Sequence, residues 1–262
     1  MRLARLLAPT VCLALGLAPV ATAAPVSGQG SWETTLQARD IGGNPVALDA
    51  AGAVFYYDTA LDITWLRNWN ASAGSSFDNG SSTTDGRMTW SNALAWANAL
   101  TVGAFDGWRL PMVGPSNGTF DYAFSNNGST DGGTAKTGTG WGTASEYGHM
   151  FYVTLGNKGF CTPNDASPGV CPPIQPGFGL SNTAQFTGMQ NDYWSGTDYA
   201  ALPGSAWIFV NSIGSQEDDA KTLELYAMAV RPGDVAAVPE PVSIVLLLAG
   251  LAGLGALARR TR

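Results

Sequence analysis

Apolar and polar positions change rhythm several times along this chain. Residues 6–20 are apolar apart from Thr10, and residues 242–258 form a second uncharged apolar run. Between these ends the pattern breaks into short pieces. Residues 53–57 and 63–66 are rich in aromatic and β-branched side chains and predict two short strands joined by a turn at 58–62. Trp90, Ala93, Leu94, Ala97 and Leu100 recur at helical spacing. They predict one amphipathic helix, with Thr89 as its N-cap and Gly103 and Gly107 beyond its end. A second helix is expected behind Thr143-Ala144-Ser145-Glu146, read as a capping box. Tyr147, Met150, Phe151 and Leu155 make its apolar face, and Gly156 is its stop. The last third reads as strand over 193–195, 206–210 and 222–230. In the last of these, Leu223, Leu225, Ala227 and Ala229 alternate with Thr222, Glu224, Tyr226 and Met228, the period of a half-buried strand.

The intervening stretches lack such periods. Residues 24–52 read as a lead-in segment. Residues 70–87 are Ser/Gly/Asn/Asp-rich and predict a surface loop. Residues 114–142 carry eight glycines in 29 residues with no periodicity, which predicts a long loop or insertion.

The two apolar ends read as processing signals. Arg2 and Arg5, the apolar run and Ala21-Thr22-Ala23 have the order of a secretory signal peptide over 1–23. At the other end Val238-Pro239-Glu240-Pro241 precedes the run 242–258, read as a transmembrane helix, and Arg259, Arg260 and Arg262 follow. Residues 234–262 in that order resemble the PEP-CTERM sorting signal of exopolysaccharide-producing Gram-negative bacteria. The resemblance implies a partner and a route. An exosortase would recognise Pro239, Glu240 and Pro241, with Arg259 and Arg260 held at the cytoplasmic side. The chain would be anchored in the inner membrane transiently and then pass to the outer surface or extracellular matrix.

Composition narrows the function classes. A chain of 262 residues suggests one domain, or at most two small ones. A net charge of -7 argues against a nucleic-acid partner. Removing both ends takes away Arg2, Arg5, Arg259, Arg260 and Arg262 against Glu240 alone, so the remaining body is more acidic still. One histidine, His149, cannot build a His-rich zinc site, and no metal site is assigned. Cys12 leaves with the signal peptide, so Cys161 and Cys171 remain as an even pair. In an exported protein they are expected to form a disulfide.

Further blocks carry a second resemblance. In order these are Thr64-Trp65-Leu66, Met88-Thr89-Trp90 with Ala93, Trp108-Arg109-Leu110-Pro111 after Gly107, Tyr193-Trp194-Ser195, Ala206-Trp207, and Ala229-Val230-Arg231. Together they resemble the DUF1566 family, which also forms the C-terminal part of a bacterial collagen-like adhesin (an Lcl C-terminal-like domain), over residues 53–233. The resemblance implies a C-type-lectin-like α+β fold with two helices, a twisted antiparallel sheet and long Gly-rich loops. The chain departs from the family where Met112-Val113-Gly114-Pro115 follows the W-R-L-P block, in place of Thr and then Glu.

Candidate chemistry is thin. Arg109, flanked by Trp108 and Leu110, needs acceptors for its five donors and is expected to tie loops together, as is Arg231. Most tryptophans are expected in the core, whereas Trp69 and Trp141, at the edges of polar loops, are the candidates for ligand contact by ring stacking. Residues 114–118 match G-x-S-x-G around Ser116, but without the strand and helix that a nucleophile elbow needs. Acidic turns at Asp78 and Asp85, or the acidic run 217–219, could take Ca2+, though no EF-hand spacing is present and turn formation explains them. No catalytic residues are assigned. The expectation is an exported, exosortase-processed surface or extracellular-matrix protein, non-catalytic, with extracellular polysaccharide a candidate partner. The alternatives left open are a polysaccharide-acting enzyme using paired carboxylates and a ligand-free structural matrix protein.

Overall fold

The computed structural model describes residues 24–171 and 173–236. The expected signal peptide, the motif Pro239-Glu240-Pro241, the span 242–258 and Arg259 and Arg260 lie outside the described residues. No helix among the described residues is long and apolar enough to cross a membrane.

The fold is α+β, mostly sheet, and its sheets are largely antiparallel. A four-stranded antiparallel sheet joins β1 (Leu36–Arg39), β2 (Phe55–Asp58), β3 (Ile63–Leu66) and β11 (Val230–Pro232) in that spatial order. A larger sheet is built around the meander β7 (Asp192–Asp198), β8 (Ser205–Val210) and β9 (Ser215–Ala220). Two-residue strands extend it at both edges. On one side lie β10 (Leu225–Tyr226), parallel to β7, and β4 (Arg87–Met88). On the other lie β6 (Gly132–Gly133) and β5 (Phe124–Ser125), parallel to each other. The helices are α1 (Trp32–Thr35), α2 (Trp90–Ala99) and α3 (Glu146–His149), which continues as a π-helical turn over Met150–Thr154.

Strand alternation feeds two large cores, beside a small third cluster of Val113, Tyr199 and Trp207. Tyr56, Trp65, Tyr193 and Phe209 point into one core with α3 and its π turn. Their neighbours Phe55, Leu66, Trp194 and Ile208 point into the other with α2. Period-2 geometry makes this unavoidable when a strand is covered on both faces, and β8 is buried at every position.

Several expectations are corrected. The lead-in is woven into the fold: β1 pairs with β2, Trp32 and Leu36 are buried, and Tyr56 Oη donates to Leu48 O at 2.8 Å. Asn182 and Asn157, both fully buried, tie residues 26–29 to the end of the π turn. The folded region also runs past 233, since Val235 is buried and Asp234 pairs with Arg39 at 2.6 Å.

The start of α3 is shifted. Ser145, not Thr143, is the N-cap, and its Oγ accepts from the Gly148 N–H at 2.9 Å. The Glu146 carboxylate is not turned back on the cap, because Arg109 holds it.

The expected strand over 222–230 is two pieces. Tyr226 pairs with Tyr193 in the large sheet, and Val230 pairs with Trp65 in the small one. The chain crosses between sheets at 227–229, so Ala227, Met228 and Ala229 are all buried, while Leu223 is exposed in the turn before β10, against the alternation. The acidic run 217–219 lies in β9, which composition did not predict. Pairing along all six residues of β8 overrides its poor strand propensity.

Residues 114–142 are largely loop, but 131–135 are buried against the sheet edge. Gly133 sits there at φ 92°, and a Cβ at that position would collide with the Ser125 carbonyl.

Candidate functional site

The motif blocks converge on one knot of architecture. Arg109 exchanges backbone hydrogen bonds with Val230, both at 2.8 Å, and Val230 is the register partner of Trp65. Pro111 O accepts from the Gly196 N–H at 2.8 Å, which joins the W-R-L-P and Y-W-S blocks. Trp108 stacks on Phe55, and Leu110 is buried beside it in the second core. The Trp194 indole donates to Met88 O, and the Trp90 indole donates to Ser195 O, each at 2.8 Å. The Tyr193 hydroxyl accepts from the Gln190 N–H at 2.7 Å, and burial holds this phenol far above its ordinary range. Every one of these groups is used internally.

Arg109 has the structural part expected of it. Its guanidinium grips both oxygens of Glu146 at 2.7 and 2.6 Å and donates to Leu110 O at 3.0 Å. Glu146 Oε2 also accepts from the Met112 N–H at 2.7 Å. A carboxylate therefore does meet the W-R-L-P turn, but it comes from the start of α3 rather than from the loop that follows. Arg231 Nε donates to Asp106 O at 2.7 Å.

The two tryptophans that were candidates for ligand contact are both buried. Trp69 is 2% exposed, stacked on Trp65 at 5.6 Å and ringed by Tyr147, Phe186 and Tyr193. Trp141 is 6% exposed, and its indole donates to Thr130 O at 2.7 Å. A loop edge in sequence is here a loop that folds back onto the core. Large rings bury more apolar area than the flanking Asn and Gly lose by following them.

The G-x-S-x-G match is also structural. Ser116 Oγ donates to Asp131 at 2.8 Å, while His149 is buried in α3 with Nδ1 3.2 Å from Gly142 O. Cys161 and Cys171 form the expected disulfide, with a Cα–Cα distance of 5.0 Å. No group of three or more His, Cys, Asp and Glu that could hold a metal is present among the described residues.

Among the described residues Phe124 and Phe178 are the exposed aromatic side chains, and a half-buried aromatic cluster lies close to Phe124 in the chain. Trp207, fully buried on β8, is roofed by the half-buried rings of Phe120 and Tyr122. The Phe120 ring lies 25° from the Trp207 plane and the Tyr122 ring 11° from it, with Phe120 and Tyr122 centroids 5.5 Å apart. Two near-parallel rings over a buried third make a flat ledge. Tyr199, edge-on to both Tyr122 and Trp207, closes one side of it. Asp121 is exposed between the two roof residues, and Asp218 is the register partner of Trp207. Burial, then the charges of Asp218, Asp121 and Asp131, together with the Tyr122 phenol, hold the Tyr199 phenol above its ordinary value.

Asp131 supports the ledge from beneath. It accepts from the Ser116 N–H at 2.8 Å and the Asp121 N–H at 2.6 Å, so both ends of the segment carrying Phe120 are tied to one carboxylate. Burial alone would raise its pKa. Donors from Ser116, Asp121 and Tyr122 outweigh that and hold it below the usual carboxylate range. Tyr122 itself has φ 51°, a left-handed backbone that a bulky side chain adopts only when its surroundings enforce it. The ledge escaped the sequence reading because it sits in the Gly-rich stretch taken as loop. The available signal was Phe120, Tyr122 and Phe124 at alternate positions in an otherwise small and polar segment.

Two cavities lie elsewhere. One of about 390 Å³ is lined by Leu180, Thr183, Phe186, Thr187, Gly188, Met189 and Gln190. The other, about 260 Å³, is lined largely by Ala53, Val54, Leu66, Arg67, Asn68 and Val102. Neither is formed by ledge residues.

No family model, no curated protein and no solved structure matches this chain.

Proposed function

We propose that this chain is an exported, exosortase-processed surface or extracellular-matrix protein whose domain binds polysaccharide without cleaving it. The export and sorting readings rest on the residues of the two termini. The domain reading, a DUF1566-like module of C-type-lectin-like arrangement, rests on the order of the motif blocks; the antiparallel sheet and the two helices α2 and α3 are compatible with it.

The observation that carries the binding function is the ledge of Phe120 and Tyr122 over Trp207. The C–H face of a pyranose is apolar and flat, and it stacks on an aromatic face with release of water from both. Carboxylates at the rim, Asp121 and Asp218, are acceptors for the sugar hydroxyls that point outward from such a stack. An acidic rim favours neutral polysaccharide over anionic polymers. The test is retention of the purified protein in gels containing neutral or anionic polysaccharide, the host's own exopolysaccharide included. Slowed migration in at least one neutral polysaccharide is expected; unchanged migration in all of them sinks the reading.

One observation favours catalysis by paired carboxylates. Asp192, Glu217 and Asp219 share one face of the large sheet by register. Burial, against Arg87, and then the charges of Asp219 and Glu217 raise the Asp192 pKa, as a general acid requires. Release of reducing ends that Asp192→Asn abolishes would establish it in place of simple binding.

A further inference from the structure

We propose that the loop between β3 and β4 is a binding site for a hard divalent cation, Ca2+, with Asp78, Asn70 and Ser75 as its side-chain ligands. Asp78 is 2% exposed. Its Oδ2 is satisfied by the Gly74 N–H at 2.8 Å and the Gly86 N–H at 2.9 Å, but its Oδ1 is buried without a donor. Asn70 Oδ1 and Ser75 Oγ are buried without partners in the same loop. The Asn70 amide cannot be turned to remove the difficulty, because its Nδ2 donates to Asp85 O at 3.0 Å.

Gly86 lies against both the Asn70 and the Asp78 side chains. Its N–H is on the Asp78 carboxylate, and a Cβ on its α-carbon would land on Asn70 Oδ1. At φ 87° the position also demands glycine. The segment is wound tight by turns in which Ala73 donates to Asn70 O, Ser75 to Ser72 O and Asp78 to Ser75 O.

Charge separates a cation from an ordered water. The ion pairs among the described residues join Arg39 to Asp234, Arg109 to Glu146, Lys136 to Asp165 and Lys221 to Asp198, and none reaches Asp78. Arg87, nearby in sequence, donates to Glu224 O and lies over the Tyr226 ring. Water could supply hydrogens to the orphaned oxygens but would leave a buried negative charge uncompensated, which is costly. A cation answers both. Ca2+ suits a set of one carboxylate, one amide carbonyl and one hydroxyl, because it accepts irregular oxygen shells completed by water. Mg2+ demands a near-ideal octahedron. The loop leads into β4 at the opposite edge of the large sheet from the ledge, so the site stands independently of polysaccharide binding.

The experiment is calorimetric titration of the full chain, stripped with EDTA, with CaCl2, alongside thermal unfolding with and without CaCl2. One Ca2+ per chain is expected, with a rise in Tm on the order of 5 °C at saturation and no competition from equimolar Mg2+. Asp78→Asn is expected to abolish binding. Ser75→Ala removes only an unpartnered hydroxyl, so it should leave the metal-free Tm unchanged and weaken Ca2+ binding roughly tenfold. Absence of Ca2+ binding to the parent chain up to about 10 mM, or binding that Ser75→Ala leaves unchanged, overturns the proposal.

Discussion

Arg109 and Glu146, 37 residues apart in the chain, form a two-pronged ion pair with Nη1–Oε2 at 2.7 Å and Nη2–Oε1 at 2.6 Å. It fastens the turn after α2 to the first residue of α3. The Glu146 side chain is 13% exposed and also holds the Met112 N–H, so losing Arg109 strands a largely buried carboxylate. Arg109→Ala should cost about 2–3 kcal/mol in urea unfolding, and Arg109→Lys most of that, because ammonium cannot reproduce the planar fork.

Two buried carboxylates should give opposite pH dependences. Asp58, fully buried in the small sheet, has a raised pKa because burial outweighs the Ala60 and Leu61 N–H groups, the His149 charge and the Thr154 hydroxyl. The folded state then holds its proton more tightly than the unfolded chain. Its contribution to stability is full below the unfolded value of about 4 and falls as pH rises through the raised folded pKa. Asp58→Asn should therefore stabilise at neutral pH and change little at pH about 3. Asp131 has a lowered pKa, so its contribution is present above about 4 and is lost as pH falls through the depressed value. Unfolding of the two Asn variants across pH separates these signs.

Reducing the disulfide should loosen the molecule locally and leave it folded. Cys161 and Cys171 are 10 residues apart, and the loop-entropy model gives about 2–3 kcal/mol for so short a closure. The cores lie outside this loop apart from Cys161 itself. Unfolding free energies from urea titrations with and without reductant should differ by no more than that amount, and the near-UV signal of the buried tryptophans should persist.

The segment before β1 is held by a backbone-to-backbone contact. A Cβ on Gly156 (φ 65°) would come within 2.5 Å of the Gly30 nitrogen. Gly156→Ala should cost about 2–4 kcal/mol, from left-handed strain and overpacking together.

The fold was legible wherever one strong local pattern met one structural role. α2 followed from the spacing of Ala93 and Ala97, and β3 from Ile63 to Leu66. Trp96 escaped because the buried face of α2 is rotated toward it, a packing choice that spacing leaves open. β9 escaped because Ser215 to Ala220 carry strand-poor residues whose pairing is dictated by β8. At the candidate site, polar neighbours in the chain make Trp69 and Trp141 look like loop-edge residues, whereas their burial depends on how their loops return to the core. Phe120 and Tyr122 became a surface only when Asp131, ten residues beyond, pinned their segment over Trp207.

The central claim is that a polysaccharide lies on the Phe120–Tyr122 ledge. The direct measurement is binding of the parent chain and of Phe120→Ala combined with Tyr122→Gly to the same neutral polysaccharide, with unfolding followed in parallel. Glycine relieves the left-handed backbone at 122, which offsets part of the lost ring contact, so the double variant should remain folded. Loss of two stacking faces should lower affinity at least tenfold, about 1.4 kcal/mol or more. A folded double variant that binds as tightly as the parent would contradict the account.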